Sequence, residues 1–172
     1  MGLRDRARGN DGPGTQQRFQ MREKLMSFGD DFWIEDQNGR RAYKVDGKAV
    51  RVRDTFLLRD AGGQEVAKIQ ERKLRVRDTM EIERAGGNAT VKKAVVGLRD
   101  RFKIEVEGGS GMSAHGNLVD HEYEIERDGD TVATVSKKWF RVRDTYGVEI
   151  APGQDAGLLL AVTVCIDSLT TN

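Results

Sequence analysis

The sequence predicts a mainly β protein: a twelve-stranded up-and-down barrel around a central hydrophobic C-terminal helix. Three observations carry that expectation. Glycine turn signals recur at near-constant spacing: Asn38-Gly39, Gly62-Gly63, Gly86-Gly87, Gly108-Gly109, Asp128-Gly129 and Pro152-Gly153. Their second residues are separated by 24, 24, 22, 20 and 24 positions, as serial hairpins require. Between the turns, apolar residues alternate with polar ones, the period of a strand with one dry and one wet face. The chain closes on Ala156–Leu169, AGLLLAVTVCIDSL, its most apolar run, which leaves no clean polar face at helical spacing.

Residues 1–17 hold four glycines, one of the two prolines and few apolar side chains, which marks a disordered leader. They show no apolar stretch of the secretory type, and Arg6 stands where a myristoylation signal needs Ser or Thr. The barrel domain is assigned to 18–172. Its first strand is Phe19–Leu25, with Phe19, Met21 and Leu25 on one face. Six strands run into the glycine turns, carrying Phe32/Ile34, Phe56/Leu58, Met80/Ile82, Phe102/Ile104/Val106, Tyr123/Ile125 and Tyr146/Val148/Ile150. Five run out of them, with Tyr43/Val45, Ala67/Ile69, Ala89/Val91 and Ala133/Val135 on the dry face. The apolar parity then slips by one residue, which predicts bulges near Asp46–Lys48, Glu71–Lys73, Lys93–Ala94 and Lys137–Trp139.

RVRDT occurs three times, at Arg51–Thr55, Arg75–Thr79 and Arg141–Thr145, with a diverged copy at Leu98–Arg101. Each copy joins one hairpin unit to the next, so an up-and-down order brings the copies to the rim opposite the glycine turns. One reading is a connecting turn in which the aspartate bonds nearby amides. The other is an anion site in which Arg51, Arg53, Arg75, Arg77, Arg141 and Arg143 hold phosphate groups bidentately, with each aspartate offsetting part of the charge.

The closing run reads as a buried helix, with its β-branched residues keeping a buried strand as the rival. Asp155 stands ready to cap its first turn after the break at Pro152-Gly153. At about a dozen residues the run falls short of the roughly 20 of a membrane span. A 14-residue helix is about 21 Å long, close to the roughly 20 Å of a six-residue strand. Twelve strands leave room for it, since eleven-stranded cans already enclose a helix.

The totals exclude several function classes. With 29 basic against 28 acidic residues, no global charge points to nucleic acid. Cys165 is the single cysteine, so there is no disulfide framework, and a cytoplasmic location is expected. No catalytic machinery, cofactor or metal site is expected. Ser110, Ser113, His115 and Asp120 lie together in and just beyond the glycine-rich loop Glu107–Asn117, but a triad is recognised by geometry rather than proximity in sequence. His121 is the other histidine, and two histidines with no second cysteine make a poor zinc set. The GGSG at Gly108–Gly111 lacks the Lys-Ser/Thr of a phosphate loop. Asp167, four residues after Thr163, has two readings: a buried acid near the helix end, or, as is commoner for such an acid, one solvated at the barrel mouth or bonded to an amide or arginine. Trp33 and Trp139 are read as wall or mouth residues.

Four stretches carry a family likeness: REKLMSFGDDFWIED at Arg22–Asp36, YKVDGKAVRVRDT at Tyr43–Thr55, SKKWFRVRDTYGVEI at Ser136–Ile150 and LLLAVTVCID at Leu158–Asp167. They resemble the LURP-one-related family over about Phe19–Leu169. That family is similar to the Tubby C-terminal domain and the phospholipid scramblases. The resemblance implies a twelve-stranded barrel around a hydrophobic C-terminal helix, and Tubby domains bind phosphoinositides through basic surface residues. The expected function is a non-enzymatic barrel that binds an anionic lipid headgroup or another phosphorylated ligand. The alternative is a protein-interaction or structural scaffold with no small ligand.

Overall fold

The structure, a computed structural model, describes residues 14–22, 31–47, 55–72, 78–96, 99–140 and 144–171. Twelve strands precede one helix: β1 (Gln17–Arg22), β2 (Phe32–Asp36), β3 (Arg41–Asp46), β4 (Thr55–Asp60), β5 (Glu65–Glu71), β6 (Thr79–Glu83), β7 (Ala89–Val96), β8 (Arg99–Val106), β9 (Met112–Asn117), β10 (Glu122–Arg127), β11 (Asp130–Ser136), β12 (Thr145–Ile150) and α1 (Ala156–Thr171). Every strand pairs antiparallel with its sequence neighbours. β1 closes the ring on β12, in register from Gln17 opposite Ile150 to Arg22 opposite Thr145. Closure removes the unpaired edges that an open sheet of this length would expose.

β1 begins at Gln17, inside the segment assigned to the leader, and is described as far as Arg22. Leu25 lies outside the described residues. The dry faces fall where the alternation puts them: Phe19, Met21, Ile34, Val45, Phe56, Leu58, Ile69, Ile82, Ile104, Ile125 and Val148 are all buried.

The glycine turns at Asp36 and Asp60 are built alike. Gly39 N–H donates to the Asp36 carbonyl at 3.0 Å, and Asp36 Oδ1 accepts from the amides of Asn38 (2.8 Å) and Arg40 (2.9 Å). Gly63 and Gln64 bond Asp60 in the same way. Gly39 and Gly63 have φ of 71° and 85°, a region that glycine enters without the Cβ penalty. Register shifts occur at Ile34/Glu35, Leu58/Arg59 and Ile125/Glu126. Among the described residues the bulges therefore lie at the glycine end and not at the places the parity slips predicted, of which Lys48 and Lys73 lie outside the described residues. At three of those places the strand simply stops: β3 at Asp46, β5 at Glu71 and β11 at Ser136. At the fourth, β7 continues unbroken to Val96, paired with β8. On the β6 side the described bonding of β7 reaches Lys93, whose N–H donates to the Asp78 carbonyl at 2.9 Å.

α1 is buried on every face. Leu158, Leu159, Leu160, Ala161, Val162, Val164, Cys165, Ile166 and Leu169 join the inward strand residues in one core. Asp155 is its N-cap: Oδ1 accepts from Leu158 N–H at 3.0 Å, and Asp155 Oδ2 takes Arg84 at 2.7 Å. The helix lies so close to β5 that a Cβ on Gly157 would stand 2.7 Å from Val66 Cγ1. Burial pushes the Cys165 thiol pKa well up, because a thiolate would have no solvation there. No described helix is long and apolar enough to cross a membrane.

Candidate functional site

The six arginines singled out from sequence, Arg51, Arg53, Arg75, Arg77, Arg141 and Arg143, lie outside the described residues. The threonine that ends each motif is within them. Thr55, Thr79 and Thr145 open β4, β6 and β12, and all three are buried. Asp78 and Asp144 precede two of them with φ of 59° and 61°, the left-handed region that aspartate tolerates. Both are turn residues, and the arginines and valine before each lie outside the described residues. The three strands start at one rim of the barrel, but not side by side. β4 and β6 flank β5, whereas β12 stands six strands round the ring from β6. The topology thus offers one neighbouring pair of motif copies and one remote copy.

Inside that same rim lies a polar cluster that the alternation did not announce. Asp167, on the last turns of α1, bonds His121 Nε2 at 2.6 Å, and both residues are buried. His121 sits in the β9–β10 turn with φ of 53°. Its ring stacks on Tyr146 of β12 with centroids 4.2 Å apart. Tyr123 faces the same end of the helix. Burial drives its phenol pKa upward, and the negative charge of Asp167 adds to the effect. The solvated reading of Asp167 is corrected here: the acid is buried at the core end of α1, and its described partner is His121 rather than an amide or an arginine. A helix ending within a barrel leaves polar groups that water cannot reach, and side chains must bond them.

The other serine, histidine and aspartate candidates do not converge. Residues 112–117 form β9 rather than a loop, with Met112 and Ala114 inward. His115 faces outward and bonds Glu126 at 3.0 Å, and Asp120 bonds Asn117. The tryptophans sit on the wall. Arg41 lies 4.9 Å over Trp33, and Arg18 4.7 Å over Trp139.

The wall is charge-compensated. Arg18–Glu149, Lys44–Asp31, Lys68–Glu83, Arg72–Glu81 and Lys92–Glu105 tie neighbouring strands or strand ends together. Lys92, followed by Lys103, holds the Glu105 carboxyl below its ordinary range. Two clefts stand out among the described residues. One, of about 350 Å³ at the glycine rim, is lined by residues that include Arg18, Asp36, Tyr43 and Asp60. Burial raises the Tyr43 phenol pKa, and the charges of Asp155 and Asp60 raise it further. The other cleft, of about 430 Å³, lies where β8 and β9 part beyond Phe102 opposite Ala114. Val119, on its edge, is 62% exposed.

The model of the family described as LURP-one-related matches residues 17–167. No curated protein matches the chain. Among solved structures, the chain is similar to the X-ray structure of an Arabidopsis thaliana protein, with a TM-score of 0.69 and 18% identity over 92% of this chain and 96% of that one. At that identity the likeness bears on the fold.

Proposed function

We propose that this chain, which belongs to the LURP-one-related family, is a non-enzymatic cytoplasmic barrel whose arginine-bearing rim takes a phosphate group, on a lipid headgroup or a soluble phosphorylated molecule. The observation that carries the reading is topological: all three RVRDT copies lead directly into strands that start at one rim. Two strand spacings separate β4 from β6, roughly 10 Å. Arg51, Arg53, Arg75 and Arg77 are therefore the pair of copies able to share one ligand, with Arg141 and Arg143 apart. Compensated charge on the wall favours this rim as the end for an anion. The His121–Asp167 contact is read as structural, because the ring is shut between the helix and Tyr146. A net charge of +1 gives little long-range steering, so binding is weak and sensitive to salt.

The test is co-sedimentation with neutral and anionic liposomes across a salt series, with an inositol phosphate as soluble competitor. Wild type is expected on anionic vesicles at low salt, and a variant with Arg51, Arg53, Arg75 and Arg77 changed to Gln is expected in the supernatant. Equal binding by the two removes the rim as a site. Binding by neither places the scaffold reading ahead. That second reading is favoured by the cleft between β8 and β9, with exposed Val119 at its edge.

A further inference from the structure

We propose that the outer face of the β9–β10 hairpin is a binding site for a divalent transition-metal ion, held by His115, Glu124 and Glu126. The three side chains each place a ligand atom within 4.8 Å of the others. The hairpin register explains how. His115 is directly opposite Glu124, and Glu126, two residues on, projects from the same face. His115 Nε2 already stands 3.0 Å from Glu126 Oε1.

Charge also marks this cluster. Glu81, Glu83, Glu105, Glu122 and Glu149 each face a lysine or arginine. Among the described residues, Glu124 and Glu126 have no such partner, and His115 is the one basic group beside them. Two carboxylates held together without a fixed cation make a local excess of negative charge, and a bound cation relieves it. The imidazole selects which cation. Calcium and magnesium prefer all-oxygen sets, while a nitrogen donor beside carboxylates suits zinc and its neighbours. Three protein ligands leave a fourth position open to water or to a side chain from another molecule. The sequence alone gives no sign of this site, because the ligands lie on two strands and show no local spacing.

Zinc chloride is the probe, titrated into the full chain by calorimetry at neutral pH, with magnesium chloride in parallel. One saturable site per chain is expected for zinc, with no comparable heat for magnesium. His115→Ala and the double variant Glu124→Gln/Glu126→Gln should each weaken zinc at least about tenfold, since even an outer-shell partner of a ligand is worth that much. All three positions are on the surface, so the metal-free variants should melt with wild type. Glu105→Gln, elsewhere on the wall, should leave the affinity unchanged. Non-saturating uptake, or an affinity that His115→Ala leaves unaltered, overturns the proposal.

Discussion

Replacing His121 tests whether the polar cluster at the end of α1 fastens the helix to the strands. His121→Asn is the informative change. Asparagine tolerates the φ of 53° at this position, so the backbone is not strained, but the imidazole is gone. Two losses then add. The buried Asp167 carboxyl loses its 2.6 Å partner, which costs about 1–3 kcal/mol for a buried group left short of a bond. The stack on Tyr146, with centroids 4.2 Å apart, contributes about 0.5–1.5 kcal/mol more. The sum is roughly 2–4 kcal/mol, against a total stability on the order of 5–15 kcal/mol. For a domain of this size that lowers the melting temperature by roughly 5–15 °C. Urea unfolding followed by tryptophan fluorescence gives the free energy directly. Asp167→Leu alone should cost about 1–3 kcal/mol. The double variant should cost less than the sum of the two, because the bond can be lost only once. Strictly additive losses, or a cost below about 0.5 kcal/mol for His121→Asn, would refute the cluster as a fastening.

The packing and capping of α1 and its neighbours set three further outcomes. Asp155→Ala removes the N-cap of α1 and the partner of Arg84, and should lower stability by about 1–2 kcal/mol in thermal melts, with Asp155→Asn losing less. Gly147→Val should cost about 1–3 kcal/mol or more, because a Cβ there would stand 2.5 Å from Trp139 and 2.7 Å from Phe140; a melt matching wild type would mean that those rings move aside freely. Burial raises the Cys165 and Tyr123 pKa values, so the folded chain keeps these protons to higher pH than the unfolded chain does. The stability they contribute is complete below the unfolded values of about 8.5 and 10 and is lost as pH climbs above them. Melting temperatures should accordingly fall between about pH 9 and 11, and Cys165→Ala should make the fall shallower.

The barrel is legible because its signals are local and repeated. Gly39 and Gly63 announce their turns, and period-2 pairs such as Phe56/Leu58 and Ile69/Ala67 assign the inside face without knowledge of the partner strand. The Asp155 cap can likewise be read three residues ahead of the amide it bonds. Features that depend on where a strand ends are not legible in this way. The parity slip after Val45 looks the same whether the strand bulges or stops. β9 is masked by the loop before it, because Gly108, Gly109, Gly111 and Gly116 crowd residues 107–117, although Met112 and Ala114 keep the period. The polar cluster is less accessible still, for His121 and Asp167 are 46 positions apart and meet only when the helix is inside the sheet. His115, Glu124 and Glu126 lie between these cases. Folding the chain about the turn at Leu118–His121 does put residue 115 opposite 124, but that step needs β9 to be recognised first.

The way the core is filled bears on where a ligand can go. Barrels that carry a ligand inside leave the interior to it. Here the longest apolar run occupies that space, and its burial is uniform from Leu158 to Leu169. The closeness of Gly157 to Val66 shows how little slack remains at the glycine end. Ligand chemistry is thereby displaced to the rims and the outer wall. Along most of the wall, cross-strand ion pairs already satisfy the charges, and such pairs gain little from exchanging partners for a solvated ligand. Two places depart from that balance in opposite senses. The RVRDT copies concentrate arginine ahead of β4 and β6, and the β9–β10 face concentrates carboxylate around one imidazole. The proposed ligand is an anion at the first and a cation at the second. The vesicle and zinc experiments therefore address separate surfaces, and either result stands without the other.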